Sequence, residues 1–294
     1  MKIAFVGKGG SGKSTVSWLY SNALARGGSK VMAIDADYNM DLAHNLGWSE
    51  AVATNYIHSA ESDFYKYQGL SEKDMYVDIT NKKNLKKFFL EPKDYFTRKY
   101  TLPTSNKNID LMITGGVNEE LLYGHRCSHA YVTSLKYYIP LLELSQDQEV
   151  VVDSVAGTDM VSYGMYLGVD AVVVVVEPHR NSIGVYKQIA QLCNEFGIPV
   201  YAVGNKVRND ADLSFMQNDI GDKLLESFDF DEALMDYDPE TISDKAFLGA
   251  QKLHKTLHSL NFDASEQWLR HKTWKKKYDL QMEQKKSESF QFVK

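Results

Sequence analysis

Residues 7–15 read Gly7-Lys8-Gly9-Gly10-Ser11-Gly12-Lys13-Ser14-Thr15. Gly7, Gly12, Lys13 and Ser14 satisfy the phosphate-loop pattern G-x-x-x-x-G-K-[ST]. The apolar run Ile3-Ala4-Phe5-Val6 precedes the loop and a helix-like segment, Val16 to Ala25, follows it. A strand, a glycine-rich turn and a helix N-terminus together present backbone N–H groups to an anion. Gly9, Gly10, Ser11, Gly12, Lys13, Ser14 and Thr15 are therefore expected to bind nucleotide. Lys13 is expected to reach the β- and γ-phosphates, and the Ser14 hydroxyl to ligate Mg²⁺. Lys8 is a second lysine that phosphate binding alone does not require.

Outward from the loop, β-branched runs alternate with helical patterns. Strands are expected at Lys2–Val6, Lys30–Ile34, Ile109–Ile113, Glu149–Val152, Ala171–Val176 and Tyr201–Gly204. Val172–Val176 is five valines in a row, the signature of a strand buried on both faces. Residues 13–25, 182–196 and 212–227 read as crossover helices. The fold class is α/β, with a doubly wound, mainly parallel sheet flanked by helices. Residues 48–108 are less regular and read as a helical elaboration, with a helix-like piece at Lys82–Leu90. The expected organisation is one domain over residues 1–260 and a basic helical extension over 261–294.

Composition narrows the class. The chain has 294 residues, 44% of them hydrophobic, with a formal net charge of −6. No apolar stretch is long enough to span a bilayer, and the N-terminal region lacks a signal-peptide pattern. Cys127 and Cys193 are too few for a disulfide framework, so a reduced, cytoplasmic setting is expected. Residues 264–294 hold eight basic side chains against four acidic ones. The body is thus acidic and unsuited to stable nucleic-acid binding. Trp274, Tyr278 and Met282 recur at helical spacing among the tail's lysines, so a membrane-facing helix is the alternative to one packed on the body.

Three further motifs fall at strand ends, where ligands of such sheets collect. Asp35-Ala36-Asp37 follows the second strand; Asp35 suits the Mg²⁺ shell, and Asp37 suits positioning or deprotonating an attacking water. Asp153 ends Glu149-Val150-Val151-Val152 and is a second Mg²⁺-site candidate. Gly157, just beyond, could offer its N–H to a γ-phosphate. Asn205 and Lys206 follow the strand Tyr201–Gly204. An Asn there can pair with a purine edge, and Arg208 in place of the acid of a guanine-reading N-K-x-D favours adenine.

Taken together, these residues resemble the deviant-Walker-A P-loop ATPases, the class of the nitrogenase iron protein, MinD and ParA. The resemblance implies that Lys8 reaches across an ATP-closed homodimer to the partner's phosphates, so Lys8, Lys13 and Asp37 are the implied catalytic set. Asp35–Leu42 (DADYNMDL), Val174–Ile183 (VVVEPHRNSI) and Val203–Arg208 (VGNKVR) are similar to the carbon monoxide dehydrogenase maturation ATPases of CooC type. The resemblance covers most of residues 1–250 and implies a metallochaperone that serves a metalloenzyme client, with Ni²⁺ or Zn²⁺ held at the dimer interface. The subfamily's Cys-x-Cys corresponds to His125-Arg126-Cys127. His125 and Cys127 are the implied metal ligands, with His129 nearby; two chains would supply two His and two Cys. A single Cys per chain at that place does not suit a bridging iron–sulfur cluster. Tyr38 replaces the family's proline after the DAD stretch. MinD/ParA-like positioning with ATP-controlled membrane or DNA binding is the alternative function.

Overall fold

The computed structural model describes residues 1–70, 85–116, 132–157, 164–235, 237–238 and 240–291. Among them the strands are β1 (Lys2–Gly7), β2 (Lys30–Ala36), β3 (Phe88–Phe89), β4 (Leu102–Pro103), β5 (Ile109–Ile113), β6 (Leu142–Glu143), β7 (Gln148–Ser154), β8 (Ala171–Val176), β9 (Val200–Val207) and β10 (Leu224–Asp229). The α-helices are α1 (Lys13–Arg26), α2 (Asp41–Asn45), α3 (Glu61–Gln68), α4 (Tyr95–Tyr100), α5 (Thr133–Leu141), α6 (Arg180–Glu195), α7 (Asp210–Ile220), α8 (Asp244–Ser259) and α9 (Ala264–Gln291).

The main sheet has the order β10-β9-β8-β1-β7-β2-β5-β4. Every pairing in it is parallel except β4 with β5. Alternate residues of one strand enter different cores: Ile3 and Phe5 join α1 and α8 on one face, while Ala4 and Val6 face α5 and α6 on the other. The valines of β8 are all buried, each contributing about 2 kcal/mol of apolar transfer energy. The order in which strands are added reverses at β1: β2 and β5 lie to the β7 side of it, and β8, β9 and β10 to the other. That reversal opens a crevice above the C-terminal end of β1, where the loop of residues 7–15 emerges.

The loop's exit depends on the first glycine. Gly7 has φ +150°, and a Cβ there would lie 2.5 Å from the Val175 carbonyl oxygen in the neighbouring strand. Gly7→Ala is expected to cost about 3 kcal/mol of stability, read as a lowered midpoint in denaturant unfolding. An unchanged midpoint would contradict this close approach.

Two expected helices end differently. Residues 212–227 form a helix only to Ile220, where Gly221 at φ +69° stops it; Leu224–Asp229 then pairs with β9 as the sheet edge. In Lys82–Leu90, residues 82–84 lie outside the described residues. Phe88–Phe89 is a short strand beside β6 rather than helix, because Phe88 stacks on Tyr67 and the two backbones pair with Leu142 and Glu143. Towards the C-terminus, α9 runs over Ala264–Gln291. Its first half is docked: Gln267 Nε2 donates to Asp170 (2.8 Å), Arg270 to the Val169 carbonyl (2.9 Å), and the Trp274 ring lies 3.8 Å from the Lys136 ammonium. No helix among the described residues is long and apolar enough to cross a membrane.

Candidate nucleotide site

The helix behind the loop begins at Lys13, directly after Gly12 at φ +87°. A Cβ on Gly12 would overlap the side-chain nitrogen of Asn205. Asn205 is itself buried and donates to the Ser11 carbonyl at 2.8 Å. Lys206 donates to the Gly10 carbonyl at 2.6 Å and pairs with Glu177 at 2.9 Å. Glu177 receives a further contact from His179 (3.2 Å), while its backbone N–H donates to the Ser182 hydroxyl (3.0 Å). The ends of β8 and β9 thus brace the loop from behind. Asn205, expected to meet a purine edge, uses one amide hydrogen on the loop and also lines the cavity beside it.

Lys13 and Asp37 are buried at 8% and 7% exposure, and Asp35 and Asp153 are fully buried. Asp35 and Asp153 stand opposite each other in the β2–β7 register. Both oxygens of Asp35 accept backbone N–H bonds, from Asp37 (3.1 Å) and Ala43 (2.8 Å), so it also fixes the turn into α2. Asp37 Oδ1 accepts from the Asn39 N–H at 3.0 Å. Asp153 Oδ1 accepts from the Ser17 hydroxyl at 3.2 Å, and its Oδ2 is buried with no protein partner. The Gly157 N–H, expected to face a phosphate, instead donates to the Gly7 carbonyl at 3.1 Å. The turn after β7 folds back over the loop in this arrangement, so the N–H would have to leave Gly7 to meet an anion. Lys8 is half-buried, and its ammonium makes no hydrogen bond or ion pair among the described residues. His125, Cys127 and His129 lie outside the described residues.

An open cavity of about 830 Å³ adjoins the loop. Its lining includes Gly10, Lys13, Ser14, Asn205, Arg208 and Phe230, with Leu234 and Tyr237 closing one side. The Thr15 hydroxyl lies 3.0 Å from that of Tyr237. The guanidinium of Arg208 lies 5.1 Å from the centre of the Phe230 ring. Phe230, Leu234 and Tyr237 escape a motif reading because they follow an edge strand that looks helical in sequence. The cavity's size and its mixed apolar and polar lining suit a nucleoside phosphate.

Burial raises the carboxyl pKa of both buried strand-end acids; the Asp153 charge raises Asp35 further, and the Asp37 charge raises Asp153 further. Asp153 is pushed up to about 7, against the opposing pull of the Ser14 hydroxyl and the Lys13 charge. Asp35 rises for the same first cause, burial, followed by the Asp153 charge. Burial also raises Asp37, against the Asn39 N–H and Lys13. The Asp35/Asp153 pair therefore holds a proton near neutrality in the absence of a cation. A raised folded-state pKa favours folding below the unfolded value, near 4, and that contribution is lost as pH rises through about 7. Hard oxygen donors with one orphaned buried oxygen fit Mg²⁺. Binding of Mg²⁺-nucleotide is accordingly expected to release protons at pH 6.5, and the share released from Asp153 falls as pH rises above about 7. Calorimetry in buffers of different ionisation enthalpy reads this directly; no proton release at pH 6.5 would contradict the shared proton.

The chain matches the profile of the CobQ/CobB/MinD/ParA nucleotide binding domain over residues 3–261. The chain belongs to this family. The domain and its ATP-binding relatives identify the chain as an ATPase. It is 32% identical to the carbon monoxide dehydrogenase accessory protein CooC of Rhodospirillum rubrum over 251 residues, 83% of this chain and 89% of that protein. An ATP-binding protein of Methanocaldococcus jannaschii is 27% identical over 235 residues, 76% of this chain and 86% of its own. The cell division ATPase MinD of Pyrococcus furiosus shares the fold with a TM-score of 0.60 at 19% identity, covering 88% of this chain and 98% of its own. The parallel sheet of this family member is thus that of the MinD/ParA P-loop NTPases.

Proposed function

We propose that this ATPase is an ATP-closed homodimer that carries a transition-metal ion to a metalloenzyme. The observation that carries the dimer is the Lys8 ammonium, placed in the phosphate loop and unpaired among the described residues. A second copy of the site supplies the anion it lacks. The cargo reading rests on the CooC relative, named as an accessory protein of carbon monoxide dehydrogenase.

In this account the loop's N–H groups and Lys13 hold the phosphates, and Asn205 and Lys206 keep the loop from flexing away. Asp37 orients the attacking water and accepts its proton. Lys8 from the other copy meets charge that develops on the transferred phosphoryl group, as an arginine finger does. Ser14, Asp35 and Asp153 would hold Mg²⁺, which when bound neutralises charge on the β- and γ-phosphate oxygens. The Gly157–Gly7 hydrogen bond ties the turn after β7 to the loop. A nucleotide that competes for that N–H would shift the turn and pass nucleotide state to the dimer surface.

His125 and Cys127 from each copy are the proposed cargo ligands, a soft and imidazole set that suits Ni²⁺ or Zn²⁺. Elemental analysis of metal-repleted protein tests this with ADP and with a non-hydrolysable ATP analogue. One ion per dimer lost in Cys127→Ala supports the cargo reading; metal content indifferent to that substitution contradicts it. The positioning alternative draws on the basic tail, but Gln267 and Arg270 there are spent on the body.

A further inference from the structure

A cluster of metal-binding side chains lies at the other end of the strand that carries Asp153. Glu149 is the second residue of β7, and Asp153 lies four positions further on, a span of about 13 Å. Its buried carboxylate faces two histidines of α8. His254 and His258 are four residues apart and so project from one face of the helix. Their rings lie 4.3 Å apart between centroids and are steeply inclined, at 73°. Glu149 Oε1 is 2.9 Å from His258 Nε2 and 3.9 Å from His254 Nε2. One ligand atom from each of the three residues lies within 4.8 Å of the others.

We propose that Glu149, His254 and His258 form a binding site for one divalent transition-metal ion of the zinc–nickel class, built from none of the nucleotide-site residues and from neither His125 nor Cys127. Ligands at zinc's usual bond lengths, about 2.0–2.1 Å, are about 3.3 Å apart around a tetrahedron. The 2.9 Å and 3.9 Å separations bracket that spacing, so sub-ångström movements admit an ion. The arrangement also has an outer support. The Tyr20 hydroxyl lies 3.1 Å from His254 Nδ1. A hydrogen bond there fixes the ring and leaves Nε2 to the metal, which is how ligating histidines are ordinarily held. Tyr20 is buried in α1, so the support is rigid. His258 is 45% exposed at its side chain, which gives the ion an entry path and leaves a coordination position open to water. Two imidazoles and a carboxylate form a borderline donor set that favours zinc, nickel or cobalt over calcium or magnesium. The Met1 amino group, 3.1 Å from Glu149 Oε2, is a neighbour that the ion must tolerate or displace.

The test uses the full, untagged chain carrying His125→Ala and Cys127→Ala, so that any cargo site is removed. Titration with Zn²⁺, and with Co²⁺ followed by visible absorption, should give one ion per chain. Adding His258→Gln should weaken binding at least tenfold, and His254→Ala with His258→Gln should abolish it together with the cobalt absorption. His258 is half-exposed, so its variant is expected to fold, which its thermal unfolding checks. No ion bound to the parent, or an affinity unchanged in the His258→Gln chain, overturns the proposal and leaves Glu149, His254 and His258 as an ion-pair network. Either outcome leaves the cargo reading at Cys127 to be judged separately.

Discussion

Lys8→Ala is expected to lower ATP hydrolysis about 10³-fold while leaving nucleotide binding by the monomer within about threefold of the parent. The asymmetry follows from what Lys8 does not touch. Its ammonium has no ion pair or hydrogen bond among the described residues, so its removal should cost the fold little. The phosphate cradle is built by Gly12, Lys13 and the brace from Asn205 and Lys206, none of which depends on Lys8. A cation supplied by a second copy acts only when two sites meet, and matters most when charge is moving onto the phosphoryl oxygens. Phosphate release and fluorescent-nucleotide binding, measured side by side, check the split. Equal losses in both would assign Lys8 to the cis cradle instead.

Asp37→Ala carries the second large effect. Hydrolysis should fall by about 10²–10⁴-fold, and the ATP-bound dimer should persist because the step that opens it is missing. Asp37 is buried beside Lys13 and is oriented through its hydrogen bond from the Asn39 N–H. A carboxylate so placed can hold a water without being a phosphate ligand, so ATP affinity should survive its loss. Size exclusion of the variant with Mg²⁺-ATP reads the outcome. A variant that stays monomeric with ATP would contradict the assignment of Asp37 to the hydrolytic step.

The centre of the sheet is legible in the sequence because strands buried on both faces show it as unbroken apolar runs. Val172–Val176 is the clearest case, and its placement beside β1 follows from the loop that β1 must present. Edges are harder to read. Leu224–Asp229 is mostly half-buried, so its pattern extends the helix before it, and only the positive φ of Gly221 marks the break. Phe88–Phe89 pairs with residues more than fifty positions away, a contact that local pattern does not encode.

The site divides in the same way. Lys13, Ser14, Asp37 and Asp153 announce themselves as motif residues, and the structure brings them together at the ends of β1, β2 and β7. The brace through Glu177, Lys206 and Gly10 joins three separate segments and becomes visible only when β8 and β9 are neighbours. Asn205 shows how a residue type understates a role, since the amide expected to meet a base also holds the Ser11 carbonyl. Glu149, His254 and His258 illustrate the same point, since two of them are unremarkable in sequence until α8 packs over the start of β7.

ATP is expected to close two copies of this chain around Lys8. Light scattering of the metal-free protein, first with Mg²⁺-ADP and then with a non-hydrolysable ATP analogue, tests it most directly. The account predicts the mass of one chain with ADP and of two with the analogue, and a return to one chain in Lys8→Ala. A mass that does not respond to nucleotide, or a dimer that forms equally well without Lys8, would contradict it.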